Sequence, residues 1–157
     1  MRTVLLIIHI PSACLALLAG PLAMFLPKRP GLHPLAGRAY QLFVALLCTS
    51  AIGLVVLLPS LWWLGLIGVA TWAAALAGWI VRRVHRPGWL LWHISLMCGS
   101  YISLVTALLV NLGPRSPVVW ILPTVIGTPL ISVRVYRAAV SARPARGPAR
   151  LAVSRRG

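Results

Sequence analysis

Five apolar stretches dominate this chain, separated by short segments rich in proline, glycine and basic residues. They run over residues 3–26, 35–58, 61–81, 89–112 and 118–136. Each is close to the roughly 20 residues that a helix needs to cross about 30 Å of hydrocarbon, so each predicts a transmembrane helix. The predicted fold class is all-α: a polytopic transmembrane helix bundle of about five spans, contained in residues 1–137. Residues 138–157 form a basic cytoplasmic tail of Arg, Pro, Ala and Gly without apolar periodicity, and disorder is expected there.

Small and weakly polar residues mark the faces expected to point into the bundle. In the first span, His9, Ser12, Ala16, Gly20 and Ala23 recur at helical spacing, which lets a second backbone approach closely. In the second, Gln41, Ala45, Cys48 and Ile52 share a face, with Thr49, Ser50 and Gly53 beside it. Gly68, Thr71, Ala75 and Gly78 are the packing positions of the third. The fourth is the most polar: His93, Met97, Ser100, Leu104 and Asn111 fall within about 40° of one line, flanked by Tyr101 and Ser103. The fifth contains Pro123, Gly127 and Pro129, so a kink or break covered by neighbours is expected. Trp62, Trp63, Trp79, Trp89 and Trp92 fall at span ends, where aromatic residues meet the membrane–water boundary.

Composition agrees with the periodicity. Sixty per cent of residues are hydrophobic and ten per cent are charged, against about a quarter charged in a soluble domain. Asp and Glu are absent altogether. That excludes paired-carboxylate acid/base chemistry, carboxylate-held magnesium or calcium, and a carboxylate proton site in mid-membrane. The net charge of +15 would also suit a nucleic-acid binder, but the basic residues are confined to short stretches between spans. The expected partners are therefore the lipid bilayer and its anionic headgroups, with no nucleic acid. Cys14, Cys48 and Cys98 all lie in apolar runs and read as small hydrophobes packed between helices.

The basic residues also orient the chain. Only Arg2 precedes the first span, while Lys28 and Arg29 follow it at once, the reverse of a secretory leader, so a retained helix is expected. With the N-terminus outside, Lys28, Arg29, Arg38, Arg82, Arg83, Arg86 and the seven tail-side arginines from Arg134 to Arg156 all lie inside. Only Arg2 and Arg115 are left outside, so thirteen of the fifteen obey the positive-inside rule.

Candidate chemistry centres on Gly31 to Tyr40, the first sharply turned polar segment, which carries His33, Arg38 and Tyr40. His33 and Arg38 are expected at the cytoplasmic turn and Tyr40 in the aromatic belt, with Gly37 permitting close packing. On the same rim fall His85 and Arg86, with His93 about one turn into the fourth helix. His33, Arg38, Tyr40, His85, Arg86 and His93 thus form a candidate cluster for an anionic ligand, a haem or a metal. His9 and His93 differ in depth by roughly 15 Å, so they cannot share one haem iron, whereas His33 or His85 could pair with His93. Ser100, Tyr101 and Asn111 form a candidate polar line through the bundle interior. No serine or cysteine has an acidic partner for a nucleophilic triad.

These residues also resemble a known family. His33-x-x-x-Gly37-Arg38-x-Tyr40 after a first span, and His85-Arg86 with Trp89 before a later one, are similar to the bacterial predicted membrane proteins grouped as domain-of-unknown-function family 2306. So are Met97-x-Gly99-Ser100-Tyr101-Ile102-x-x-x-Thr106-Ala107 and Trp120-x-x-Pro123-x-x-x-Gly127-x-Pro129. The resemblance covers residues 5–137. It departs at Trp92-His93, where the family pattern carries a basic residue soon after the aromatic. It implies a small multi-span helical protein of the bacterial inner membrane with no assigned activity, and so supplies no mechanism.

The leading functional reading is a non-enzymatic multi-pass protein with a subunit, scaffold or accessory role, joined to a second copy or a membrane-protein partner and needing no cofactor. The second is a small transporter or proton path along the fourth helix. The third is electron transfer by a protein that holds haem b or a metal on the cytoplasmic side.

Overall fold

A computed structural model describes residues 1–113 and 116–141. It contains α1 (Arg2–Phe25), α2 (Leu32–Leu57), a short 3-10 turn (Pro59–Leu61), α3 (Trp62–Val84), α4 (Trp89–Leu112) and α5 (Pro117–Ser141). All five helices are long and apolar enough to cross a membrane, and no strand occurs among the described residues. The helix boundaries follow the apolar runs closely, and α4 matches its predicted range end for end. The main difference is at α5, which continues past Tyr136 to Ser141. Arg137-Ala138-Ala139-Val140 contains no helix breaker, so nothing in the sequence stops the helix there. The remainder of the predicted tail, with Arg143, Arg146, Arg150, Arg155 and Arg156, lies outside the described residues, as do Pro114 and Arg115.

α1 packs on α2, α2 on α3 and α3 on α4, while α4 returns to touch α1 and so closes a ring. This places α2 and α4 across the diagonal. α5 lies outside the ring and packs mainly on α4, with its Trp120 ring also 5.2 Å from that of Trp63 on α3. The α1–α2 and α3–α4 turns share one end of the bundle with the C-terminal end of α5. This is called the basic end below.

The core is narrow and built largely from small side chains: Ala16, Ala19, Val44, Cys48 and Ala75, with Tyr40, Leu47 and Leu104 filling the remainder. In lipid there is no hydrophobic drive between helices, so close packing and internal hydrogen bonds must hold them. The expected faces of α1 and α3 are found, with Ser12, Ala16 and Gly20 buried on one and Thr71, Ala75 and Gly78 on the other. The expected face of α2 is corrected. Tyr40, Val44, Leu47 and Cys48 point inward, while Ala45 is only half-buried and Ile52 is exposed. The helix is rotated toward Tyr40 because its hydroxyl has a partner inside the ring. Cys14 is exposed, against the expectation that all three cysteines pack between helices, and all three thiols are free.

Prolines shape the carbonyl inventory. A proline lacks the N–H that would close on the carbonyl four residues earlier, so that carbonyl needs another donor. Pro21 frees Leu17 O, and the Tyr101 hydroxyl donates to it at 3.2 Å. Pro27 frees Ala23 O, which accepts from Lys28 Nζ at 2.7 Å and His33 Nδ1 at 2.9 Å. α5 runs unbroken through Pro123 and Pro129, which corrects the expected break. Pro123 is buried, and Gly127 lies against Ile102.

Candidate functional site

Two histidines at the basic end act as struts between helices. His33, in the first turn of α2, donates its Nδ1–H to Ala23 O of α1 at 2.9 Å. His93, near the start of α4, donates its Nδ1–H to Gly78 O of α3 at 2.8 Å. A carbonyl can only accept, so in a neutral ring the hydrogen sits on Nδ1 and Nε2 keeps a lone pair. His93 therefore bonds within the bundle, and His33 does so as well, rather than sitting only at a headgroup.

Deeper in the ring, Tyr40 and Ser100 meet across the α2–α4 diagonal with 2.9 Å between their oxygens. Ser100 spends its own hydrogen on Met97 O at 2.8 Å, so Tyr40 is the donor of the shared bond. Tyr40 is 1 % exposed and Ser100 fully buried, which corrects the expected aromatic-belt position of Tyr40. The next residue on each helix crosses to the other hairpin: Gln41 Nε2 donates to Ala75 O, and Tyr101 to Leu17 O. Further bonds join Ser103 to Thr71 at 2.7 Å and His9 to Ser50 at 3.1 Å. No buried side-chain polar atom lacks a partner among the described residues.

The remaining predicted site residues are not gathered in. His85 is exposed, bonds Arg83 O of its own turn at 3.0 Å and rests 4.9 Å from the Trp89 ring. Its φ of 51° closes α3 in the left-handed region, so it serves the turn. Arg86 is exposed, and Arg38 lines an open recess with Pro30, Gly31 and Pro34. Gly37 has no neighbour within 4 Å of an added Cβ, so it does not permit a close approach there. Asn111 is exposed and donates to Ala107 O of its own helix at 2.7 Å. The polar line expected from His93 to Asn111 therefore ends at Ser100, where the hydroxyls close on each other.

Other cations join the two imidazoles. Arg82 follows Gly78 by one helical turn on α3, and the charges of Arg82 and Lys28 act on both the His33 and the His93 ring. Arg134 of α5 acts on Lys28. Lys28 is exposed as a residue, but its ammonium end is tucked against the α1 carbonyls. That partial burial first, and the Arg134 guanidinium second, hold it below the ordinary lysine value, while Cys98 pulls weakly the other way. Lys28, Arg82 and Arg134 were legible only as topology signals. The approach of Lys28 and Arg82 to His33 and His93 follows from the ring, and Arg134 reaches Lys28 from α5. Among the described residues, no three His, Cys, Asp or Glu side chains come together as a metal cluster. No protein family, curated protein or solved structure matches the chain.

Proposed function

We propose that this chain is a non-enzymatic multi-pass protein of a bacterial inner membrane, acting as a subunit, scaffold or accessory to a second membrane protein. The basic end faces the cytoplasm and the N-terminus faces outward, as the distribution of Lys and Arg suggests. The resemblance to domain-of-unknown-function family 2306 belongs to the same proposal.

The observation that carries the reading is the placement of α5. It is held mainly by α4, with one further contact from Trp120 to the Trp63 ring of α3 at 5.2 Å, and Pro123 is its one buried residue. Thr124, Thr128 and Ser132 fall at four-residue spacing on its exposed side. Small hydroxyl residues at that spacing are what membrane helices use to pack closely and to share hydrogen bonds, whereas lipid offers them neither. A helix tethered on one side, with such a row on another, is suited to join a neighbouring helix.

Native mass spectrometry from mild detergent is expected to show a second copy or a co-purifying membrane protein. Thr124→Leu/Thr128→Leu/Ser132→Leu is expected to release it without unfolding the ring. A clean monomer for the unaltered chain would remove the reading. For orientation, a cysteine placed by Arg86→Cys in a cysteine-free background should react with an impermeant maleimide only after the membrane is opened. Labelling in intact cells would reverse the topology.

A further inference from the structure

We propose that an anionic phospholipid seats in the furrow between α1 and α5, its phosphate bridging Lys28 and Arg134 and an acyl chain lying along α4. The inference goes beyond the partner reading and does not rest on it, because Thr124, Thr128 and Ser132 fall on another side of α5.

The furrow follows from the way α5 crosses α4. Away from the basic end α5 leans toward α3, where the Trp120 and Trp63 rings are 5.2 Å apart. At the basic end it leans toward α1, where Arg134 comes up to Lys28. The helical phase agrees. Arg134 follows Gly127 by two turns, on the face that Gly127 lays against Ile102 of α4. α1 meets α4 at a different angle, with Gly20 against the Tyr101 ring. Yet α1 and α5 do not pack on each other among the described residues. A strip of α4 between its Tyr101 side and its Ile102 side is therefore open. Cys98 and Val105, two turns apart, lie half-buried along it. Its flanks are apolar: Leu17 and Met24 on α1, and the exposed Leu130 on α5.

Charge sets the occupant. Lys28 closes the end of α1, with its ammonium held on Ala23 O at 2.7 Å and Met24 O at 2.8 Å. Arg134 is the eighteenth residue of α5. That is a rise of roughly 26 Å, which brings it close to headgroup level in a hydrocarbon layer about 30 Å thick. The charges of both residues act on the Cys98 thiol, so both sit over the same end of the strip. Two cations from helices that do not otherwise meet thus converge at the mouth of the furrow. The chain has no Asp or Glu to set between them, so the counter-charge comes from outside.

A phosphate diester answers both groups. The guanidinium fork spans its two free oxygens, and the ammonium shares one of them as a point charge. Basic clefts between helices at this level are where anionic headgroups bind. A zwitterionic headgroup would bring a cation of its own to a place that already holds two. A free phosphate ion would make no use of the apolar strip. The open recesses at Arg38 and Arg86 each present a single arginine, so they lack the bridging pair.

The test is native mass spectrometry of the full chain in mild detergent with added phosphatidylglycerol or phosphatidylcholine. Phosphatidylglycerol is expected to stay bound at collision energies that strip phosphatidylcholine. Lys28→Gln and Arg134→Gln should each weaken its retention about fivefold, the scale of one basic residue against anionic lipid. Arg134→Lys should keep most of it, and Arg38→Gln and Arg86→Gln should leave it unchanged. Phosphatidylglycerol with a diazirine in its acyl chain is expected to crosslink the unaltered chain at the α4 peptide that carries Cys98 and Val105. That measurement stands even where a variant fails to fold. Three results would overturn the proposal: equal retention of the two lipids; losses at Arg38→Gln or Arg86→Gln as large as those at Arg134→Gln; or crosslinks that leave that α4 peptide unmarked.

Discussion

Gly20→Ala is expected to destabilise the bundle by about 2 kcal/mol, the usual scale for forcing atoms into a filled space. A Cβ at Gly20 would overlap Cδ2 and Cε2 of the Tyr101 ring. That ring cannot simply swing away, because its hydroxyl is tied to Leu17 O, the carbonyl that Pro21 leaves free. Glycine, proline and tyrosine form one lock between α1 and α4: the first supplies the space, the second the acceptor and the third the plug. Two comparisons isolate the effect in unfolding titrations from mixed micelles. Gly37→Ala meets nothing within 4 Å, so it should be neutral or stabilise by about 0.5 kcal/mol through helix propensity. Gly20→Ala combined with Tyr101→Ala should cost less than the sum of the two single changes. An additive result would mean that the ring does not lie over Gly20.

Ser100→Ala is expected to cost more than Tyr40→Phe, although both delete the same hydrogen bond. Ser100 is the acceptor for the Tyr40 hydroxyl, and Tyr40 is 1 % exposed. Removing the acceptor strands a donor in the core of the ring, at about 1–3 kcal/mol. Tyr40→Phe removes the donor instead. Ser100 keeps its bond to Met97 O, so only the net value of one hydrogen bond is lost, about 1 kcal/mol or less in a membrane protein. Equal costs, or the reverse order, would contradict the assigned donor direction.

Much of the architecture was legible because the hydrocarbon thickness is a strong ruler. Runs of leucine, valine, isoleucine and alanine bounded by Pro-Gly and Arg-rich turns leave little freedom in where helices start and stop. Rotation about each helix axis was harder to read. On α1 and α3 the small residues lie on one side and reveal it. On α2 small and large residues are mixed, and Tyr40, close to the helix start, reads equally well as a boundary aromatic or an interior donor. Its partner lies sixty residues away. The fourth-helix line failed at Asn111 for a different reason: a helical line extended to the helix end leaves the interior. Two signals were present in the sequence and could have been used. Pro21 and Pro27 point to Leu17 and Ala23 as acceptors in need of outside donors. The spacing from His33 to Tyr40, Gln41 and Val44 recurs from His93 to Ser100, Tyr101 and Leu104. Which cations join the histidines was not legible, because it depends on how the ring closes.

Nitrogen-15 solid-state spectra of histidine-labelled protein in lipid bilayers, assigned with single His→Asn variants, test most directly the placement of His33 and His93 as paired struts. Both rings are expected to carry hydrogen on Nδ1 and none on Nε2, with Nδ1 close to the labelled carbonyl carbons of Ala23 and Gly78. A hydrogen on Nε2 in either ring, or no contact to those carbonyls, would contradict it.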